Sequence, residues 1–231
     1  MKPKRFALIA AGGSGIRMES EVPKQFLLLQ GIPILMHTIN LFQSLKTISS
    51  ILLVLPSHEI PRWDLLCKEY NFTIPHTVIA GGDTRFDSVK KGINAFGNEA
   101  GLIAIHDGVR PLIQPELIEK CYSFAYEFGN AIPAVRATES IRLGTHADNT
   151  KVDRNSVWQI QTPQVFFLER IRDHYKAQWQ EDYTDDASVA EACGERINLI
   201  EGDIENIKIT TPLDLFLANC ILKGRNECSN K

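Results

Sequence analysis

Phe6-Ala7-Leu8-Ile9-Ala10 runs without a polar break into Ala11-Gly12-Gly13-Ser14-Gly15, and this junction decides the fold. An apolar run this short, closed by glycines, reads as a strand buried on both faces, the kind a parallel sheet uses. The same figure recurs at Ile51 to Leu55, Thr77 to Ala80, Leu102 to Ile105 and Ala131 to Val135. Between these runs, Leu35, Ile39, Phe42 and Leu45 keep helical spacing. So do Phe86, Val89, Ile93 and Phe96, and then Leu117, Cys121, Phe124 and Phe128.

Strand and helix therefore alternate, which predicts an α/β fold: a Rossmann-like, mostly parallel sheet with helices on both faces. Ligands in such sheets sit beyond the carboxyl ends of the strands. That singles out three loops rich in glycine and charge, Ala11 to Lys24, Gly81 to Ser88 and His106 to Pro111. From Arg136 to Gln161 the helical period disappears and polar residues surround isolated branched ones, which predicts a protruding β-arm over about residues 136–161. With 231 residues, the chain fits one domain, 1–231, carrying that arm. A last helix is expected from Pro212 to about Leu222, followed by a polar tail that frays.

A net charge of -3 argues against nucleic acid as a partner, because a duplex is held by a basic face or stripe. Phosphate chemistry must then be local, with a few cations and backbone amides converging on one cleft. The five cysteines have neither zinc-site spacing nor a paired framework, so reduced thiols are expected. The apolar run after Met1-Lys2-Pro3-Lys4-Arg5 lasts only about six residues, too short for a signal peptide or a membrane span. A cytoplasmic protein with no membrane partner is the expectation.

In the first loop, small residues let backbone amides approach an anion closely. Taken alone, the glycines serve a simple chain reversal equally well. Arg17 and Lys24 change the balance, since a fixed Arg and Lys beside an amide nest suit phosphoryl or nucleotidyl transfer. The spacing matches neither a dinucleotide fingerprint, whose third glycine is missing, nor a P-loop, whose Gly-Lys-Ser/Thr ending is absent. Asp107, at the end of an apolar run, is either a turn residue or a ligand for a phosphate-bridging cation. His106 invites a general-base reading, but an ionised phosphate nucleophile needs no base, so it is assigned a structural place.

Eight blocks in one order then resemble a known family. They are Ala10-Ala11-Gly12 through Arg17-Met18, Pro23-Lys24-Gln25-Phe26, Gly81-Gly82-Asp83 with Arg85 and Ser88, and His106-Asp107-Gly108-Val109-Arg110-Pro111. Val152-Asp153-Arg154, Gln161-Thr162-Pro163-Gln164, Thr184-Asp185-Asp186-Ala187-Ser188 and Asn206-Ile207-Lys208 complete the set. The chain resembles the sugar nucleotidyltransferases, and within them the 2-C-methyl-D-erythritol 4-phosphate cytidylyltransferases of non-mevalonate isoprenoid biosynthesis. Ribitol-5-phosphate cytidylyltransferase shares several blocks, but Val152 to Trp158 and Thr184 to Ser188 look like the methylerythritol branch.

The resemblance implies roles residue by residue. Arg17, Lys24 and Lys208 would be catalytic around the triphosphate. Ala10, Ala11, Gly12, Gly13, Gly82, Asp83 and Ser88 would bind CTP. Asp107 would hold magnesium and, with Arg110, Thr138, Arg154, Thr162 and Thr184, bind the acceptor alditol phosphate. Thr138 and Arg154 would act across a two-fold axis, making the enzyme a homodimer with shared active sites. A regulatory module that only binds nucleotide would not need the full set of transition-state cations.

Overall fold

The computed structural model of the chain describes residues 3–12 and 22–229. Strand β1 (Arg5–Ala10) comes first, and a turn of 3-10 helix at Lys24–Phe26 leads into a small ribbon, β2 (Leu28–Leu29) and β3 (Ile32–Pro33). Then follow α1 (Ile34–Ser44), β4 (Ser50–Leu55), α2 (Ile60–Glu69), β5 (Thr77–Ala80), α3 (Arg85–Ala95), β6 (Leu102–Asp107) and α4 (Pro115–Phe128). The second half holds β7 (Asn130–Arg136), the hairpin β8 (Ile141–Gly144) and β9 (Asn149–Val152), β10 (Trp158–Ile160) and β11 (Gln164–Phe167). It closes with α5 (Leu168–His174), α6 (Asp186–Ala192), β12 (Leu199–Glu201) and α7 (Pro212–Ser229).

The main sheet runs in the order β10-β7-β11-β6-β1-β4-β5, with β12 beside β7. The α/β expectation holds for β6, β1, β4 and β5, which are mutually parallel. The sheet is mixed because β11 lies antiparallel between β6 and β7. That strand escapes a sequence reading: Gln164-Val165-Phe166-Phe167 runs directly into Leu168 of α5 with no turn residue to mark its end.

Helices cover both faces. In β1, Ala7 and Ile9 pack in one layer with Leu35, Ile39 and Phe42 of α1, Trp63 of α2 and Tyr122 of α4. Phe6 and Leu8 point the other way, into a layer with Phe86, Val89 and Ile93 of α3 and Ile171 of α5. Because both faces are dry, the strand's two-residue period is hidden in an unbroken apolar run. A third cluster, with Leu29, Val109, Ile209 and Ala218, seats α7.

Two boundaries differ from expectation. The arm is narrower than 136–161, since Trp158 pairs with Arg136 inside the main sheet and leaves the β8-β9 hairpin as the projection. Helix α7 continues well past Leu222. Its polar end is held by tertiary contacts: Arg225 donates to Leu112 O at 2.9 Å and pairs with Glu205 at 2.6 Å. Cys67, Cys121, Cys193 and Cys220 are free thiols. Burial pushes Cys121 up to about 12 and Cys67 to about 11, so neither is a thiolate near neutral pH.

Candidate active site

The parallel strands end together and carry their loops to one rim. Ala10, the last residue of β1, stands in register with Val54 on one side and Asp107 on the other. The ladder continues past the strands, with Ala11 N donating to Val54 O at 3.0 Å and Gly108 N to Ala10 O at 2.9 Å. Glycine is required at 108 for this approach, because a β-carbon there would sit 2.9 Å from Ala11 Cβ.

The Gly81 to Ser88 loop is shaped by the start of α3. Thr84 caps that helix by accepting from Asp87 N at 3.0 Å. Ser88 Oγ accepts from Gly82 N at 3.0 Å. Gly82 lies so close to the helix that a β-carbon would come within 2.3 Å of Asp87 Cβ.

Along this rim lie two clefts that share Asp107 and Lys208. The first is lined by Ala10, Ala11, Gly12, Lys24, Gly82, Asp83 and Ser88, together with Asp107 and Lys208. The second is lined by Asp107, Arg110, Thr162, Thr184 and Lys208. Of the residues singled out from sequence, Arg17 and Gly13 lie outside the described residues. Thr138 and Arg154 border neither cleft: they flank the β8-β9 hairpin and meet each other, Arg154 Nη1 donating to Thr138 O at 2.9 Å.

Asp107 is the electrostatic centre. Its Oδ2 pairs with Lys208 Nζ at 3.0 Å and Arg110 Nε at 3.2 Å. Burial by itself would raise its pKa, but Lys208, Arg85 and Arg110 outweigh that and hold the carboxyl well below the usual carboxylate range. The cations are themselves braced. Arg110 Nη1 donates to Asn206 O at 2.8 Å, and Ile209 N to Val109 O at 2.9 Å, which fixes the segment carrying Lys208.

His106 is a strut in this frame. It is fully buried, with Nε2 facing Arg110 O at 3.0 Å and Nδ1 facing Thr162 Oγ1 at 3.1 Å. One tautomer satisfies both contacts: Nε2-H donates to the carbonyl and Nδ1 accepts from the hydroxyl. Thr162 Oγ1 also accepts from Asp107 N at 3.1 Å, so this hydroxyl is engaged within the protein.

Desolvation lowers the His106 pKa to about 4. Between that value and the ordinary ~6.5 the unfolded chain binds a proton that the folded chain refuses. Stability contributed by neutral His106 is therefore complete above pH ~6.5 and lost as pH falls toward ~4, by about 3 kcal/mol across the window. Urea unfolding near pH 7 and near pH 5 should show about 2 kcal/mol of that loss in the wild type and a flatter profile in His106→Gln. Equal slopes in the two proteins would remove His106 as the cause.

The donor set bears on a metal. Among the described residues no hydrogen bond reaches Asp107 Oδ1, and Arg85, which makes its closest approach there, stays at 3.9 Å through Nε. Among the described residues no three His, Cys, Asp or Glu side chains gather as a metal cluster. One free carboxylate oxygen suits a hard cation that arrives with phosphates and keeps most of its ligands there, as magnesium does.

The model of the family IspD: 2-C-methyl-D-erythritol 4-phosphate cytidylyltransferase matches residues 6–224. The chain belongs to that family. A relative of the same name from Porphyromonas gingivalis is 47% identical over 223 residues, 96% of this chain and 99% of its own length. One from Bacteroides thetaiotaomicron is 44% identical, covering 95% of this chain and 100% of its own. Among solved structures, 4-diphosphocytidyl-2C-methyl-D-erythritol synthase from Anaerococcus prevotii is similar with a TM-score of 0.80 and 26% identity, over 96% of this chain and 99% of that one.

Within this cytidylyltransferase family frame, some residues of the eight blocks take places in the site although sequence reasoning gave them no role. Arg85 borders both clefts and binds buried Asp186. Gln164, also buried, joins β11 to α6 by donating to Asp185 Oδ2 and accepting from Ala187 N, both at 2.7 Å. The signal was present in the Thr184-Asp185-Asp186 block, where two adjacent acids take opposite jobs: Asp185 caps α6 and Asp186 is buried beneath it.

Proposed function

We propose that this chain transfers the cytidylyl group of CTP to 2-C-methyl-D-erythritol 4-phosphate and releases pyrophosphate, as the family's name describes. The observation that carries the reading is the wall common to the two clefts, where Asp107 and Lys208 stand between a nucleotide side and an acceptor side. An acceptor phosphate oxygen forms a new bond to the α-phosphorus, and the bond to the pyrophosphate oxygen breaks. No base is needed for an ionised phosphate, which agrees with His106 having both ring nitrogens occupied. Lys24 and Lys208 stabilise charge on the phosphoryl oxygens, and positioning supplies much of the rest. Arg17 joins them on the strength of the family resemblance.

Gly12, Gly82, Asp83 and Ser88 take the cytidine end, and Arg110, Thr162 and Thr184 the acceptor end. Magnesium would be held by the triphosphate and Asp107, and supplies charge neutralisation when bound. No described helix is long and apolar enough to cross a membrane, and the charged substrates suit a reaction in the cytoplasm. Pyrophosphate release should be followed with CTP, UTP and ATP against methylerythritol phosphate and ribitol 5-phosphate. Release with CTP and ribitol 5-phosphate, but none with methylerythritol phosphate, would overturn the acceptor assignment.

Thr138 and Arg154 act in the partner's acceptor cleft of a homodimer, which accounts for their flanking the hairpin and bordering neither cleft of their own chain. Mixing Lys24→Ala and Arg154→Ala proteins after subunit exchange should then recover about a quarter of wild-type activity, since half the dimers are mixed and each has one intact site. A mixture no more active than its two components would count against shared sites.

A further inference from the structure

Arg85 is a cation the reaction above leaves without a role. It begins α3 directly behind the Thr84 cap and, with Asp107 and Lys208, borders both clefts. Both its terminal nitrogens go to one carboxylate, Nη1 to Asp186 Oδ1 at 2.9 Å and Nη2 to Oδ2 at 2.7 Å. Asp186 is fully buried, and its Oδ1 also accepts from the Tyr175 hydroxyl at 2.6 Å. Tyr175 stacks on Phe86 with ring centroids 4.7 Å apart. The carboxylate is thereby fixed from two directions, and a bidentate guanidinium on a buried anion has little freedom.

Asp107 is paired unevenly. Lys208 and Arg110 make their closest approach to Oδ2, while Arg85 makes its own to Oδ1, with Nε at 3.9 Å, beyond hydrogen-bond reach, and among the described residues no hydrogen bond reaches Oδ1. An untethered guanidinium at that range would close to the ~2.8 Å of a charge-assisted bond. We propose that Asp186 and Tyr175 are positioning residues that tether Arg85 short of Asp107, so that Oδ1 stays unpaired for a ligand. That ligand is one needing a bare carboxylate oxygen: a hydroxyl of the acceptor, or the divalent cation of the triphosphate. The inference rests on the assignment of the two clefts made above.

Asp186→Asn removes the anion that holds Arg85 and lets it close on Oδ1. Binding of the acceptor, and of manganese with a non-hydrolysable CTP analogue, should be measured separately by calorimetry. One of the two is expected to weaken about tenfold, the worth of one charge-assisted hydrogen bond, and which of them weakens identifies the ligand. Adding Arg85→Gln in the same chain removes the intruding cation and should restore most of the loss. A purely structural ion pair predicts the reverse, with the double variant no better than Asp186→Asn. That result, or unchanged binding of both ligands, overturns the proposal. Should Asp186→Asn fail to fold, Tyr175→Phe keeps the ion pair but loosens it and should move the same binding constant in the same direction by a smaller factor; no movement overturns the proposal equally. Wild-type turnover of CTP with methylerythritol phosphate is the separate control, and its absence would refute the cleft assignment instead.

Discussion

Lys208→Ala is expected to lower kcat about 10²- to 10³-fold, the scale of losing one preorganised charge from a transition state, with little change in the Kd for CTP. Lys208 is suited to this because its ammonium stands at the wall between the clefts, 3.0 Å from Asp107. At that place charge moves from the attacking oxygen toward pyrophosphate, so the interaction strengthens as the reaction proceeds. Presteady-state turnover combined with equilibrium CTP binding separates the two effects. A parallel fall in CTP affinity would mean that Lys208 binds ground state and transition state alike, and the catalytic assignment would fail.

Asp107→Asn should be the most damaging single change to the fold of the site. Removing one partner of a buried ion pair typically costs 3–5 kcal/mol, because the remaining charge is left buried. Here about 3 kcal/mol is expected, at the low end, since Lys208 is 40% exposed and can turn to water. Arg110 cannot, being 11% exposed, although it keeps Asn206 O. The Asp107 carboxyl is held ionised far below its ordinary value. A group depressed in this way gives stability that is present above its unfolded pKa and is lost only in acid. The wild-type advantage should thus be constant from about pH 5 to about pH 8 in chemical denaturation. An advantage that shrinks toward pH 5 would show that the carboxylate is not held ionised by its neighbours.

The first half of the chain was legible because its physics is local. Phe6 to Ala10 and Leu102 to Ile105 are uninterrupted apolar runs, and a strand buried on both faces can be little else. The described parts of the three suspected loops do share a rim, since the parallel strands end together. What stayed hidden was non-local. Nothing near Lys208 in sequence says that it will meet Asp107; that depends on Asn206 and Ile209 being pinned against Thr162 and Val109. Its importance came from the family resemblance instead. The Arg85 and Asp186 pair joins the starts of α3 and α6, and neither propensity nor spacing foretells it. The end of α7 was misjudged for the same reason, as a polar segment frays only if nothing distant holds it.

The wall between the clefts also governs how the two substrates know about each other. Since Arg85, Asp107 and Lys208 border both clefts, occupancy of one cleft would reset the charge balance felt in the other. Linkage makes that influence mutual: the factor by which bound nucleotide changes acceptor affinity equals the factor by which acceptor changes nucleotide affinity. Order of addition, synergy in dead-end complexes and the pattern of product inhibition then have a common origin in three side chains.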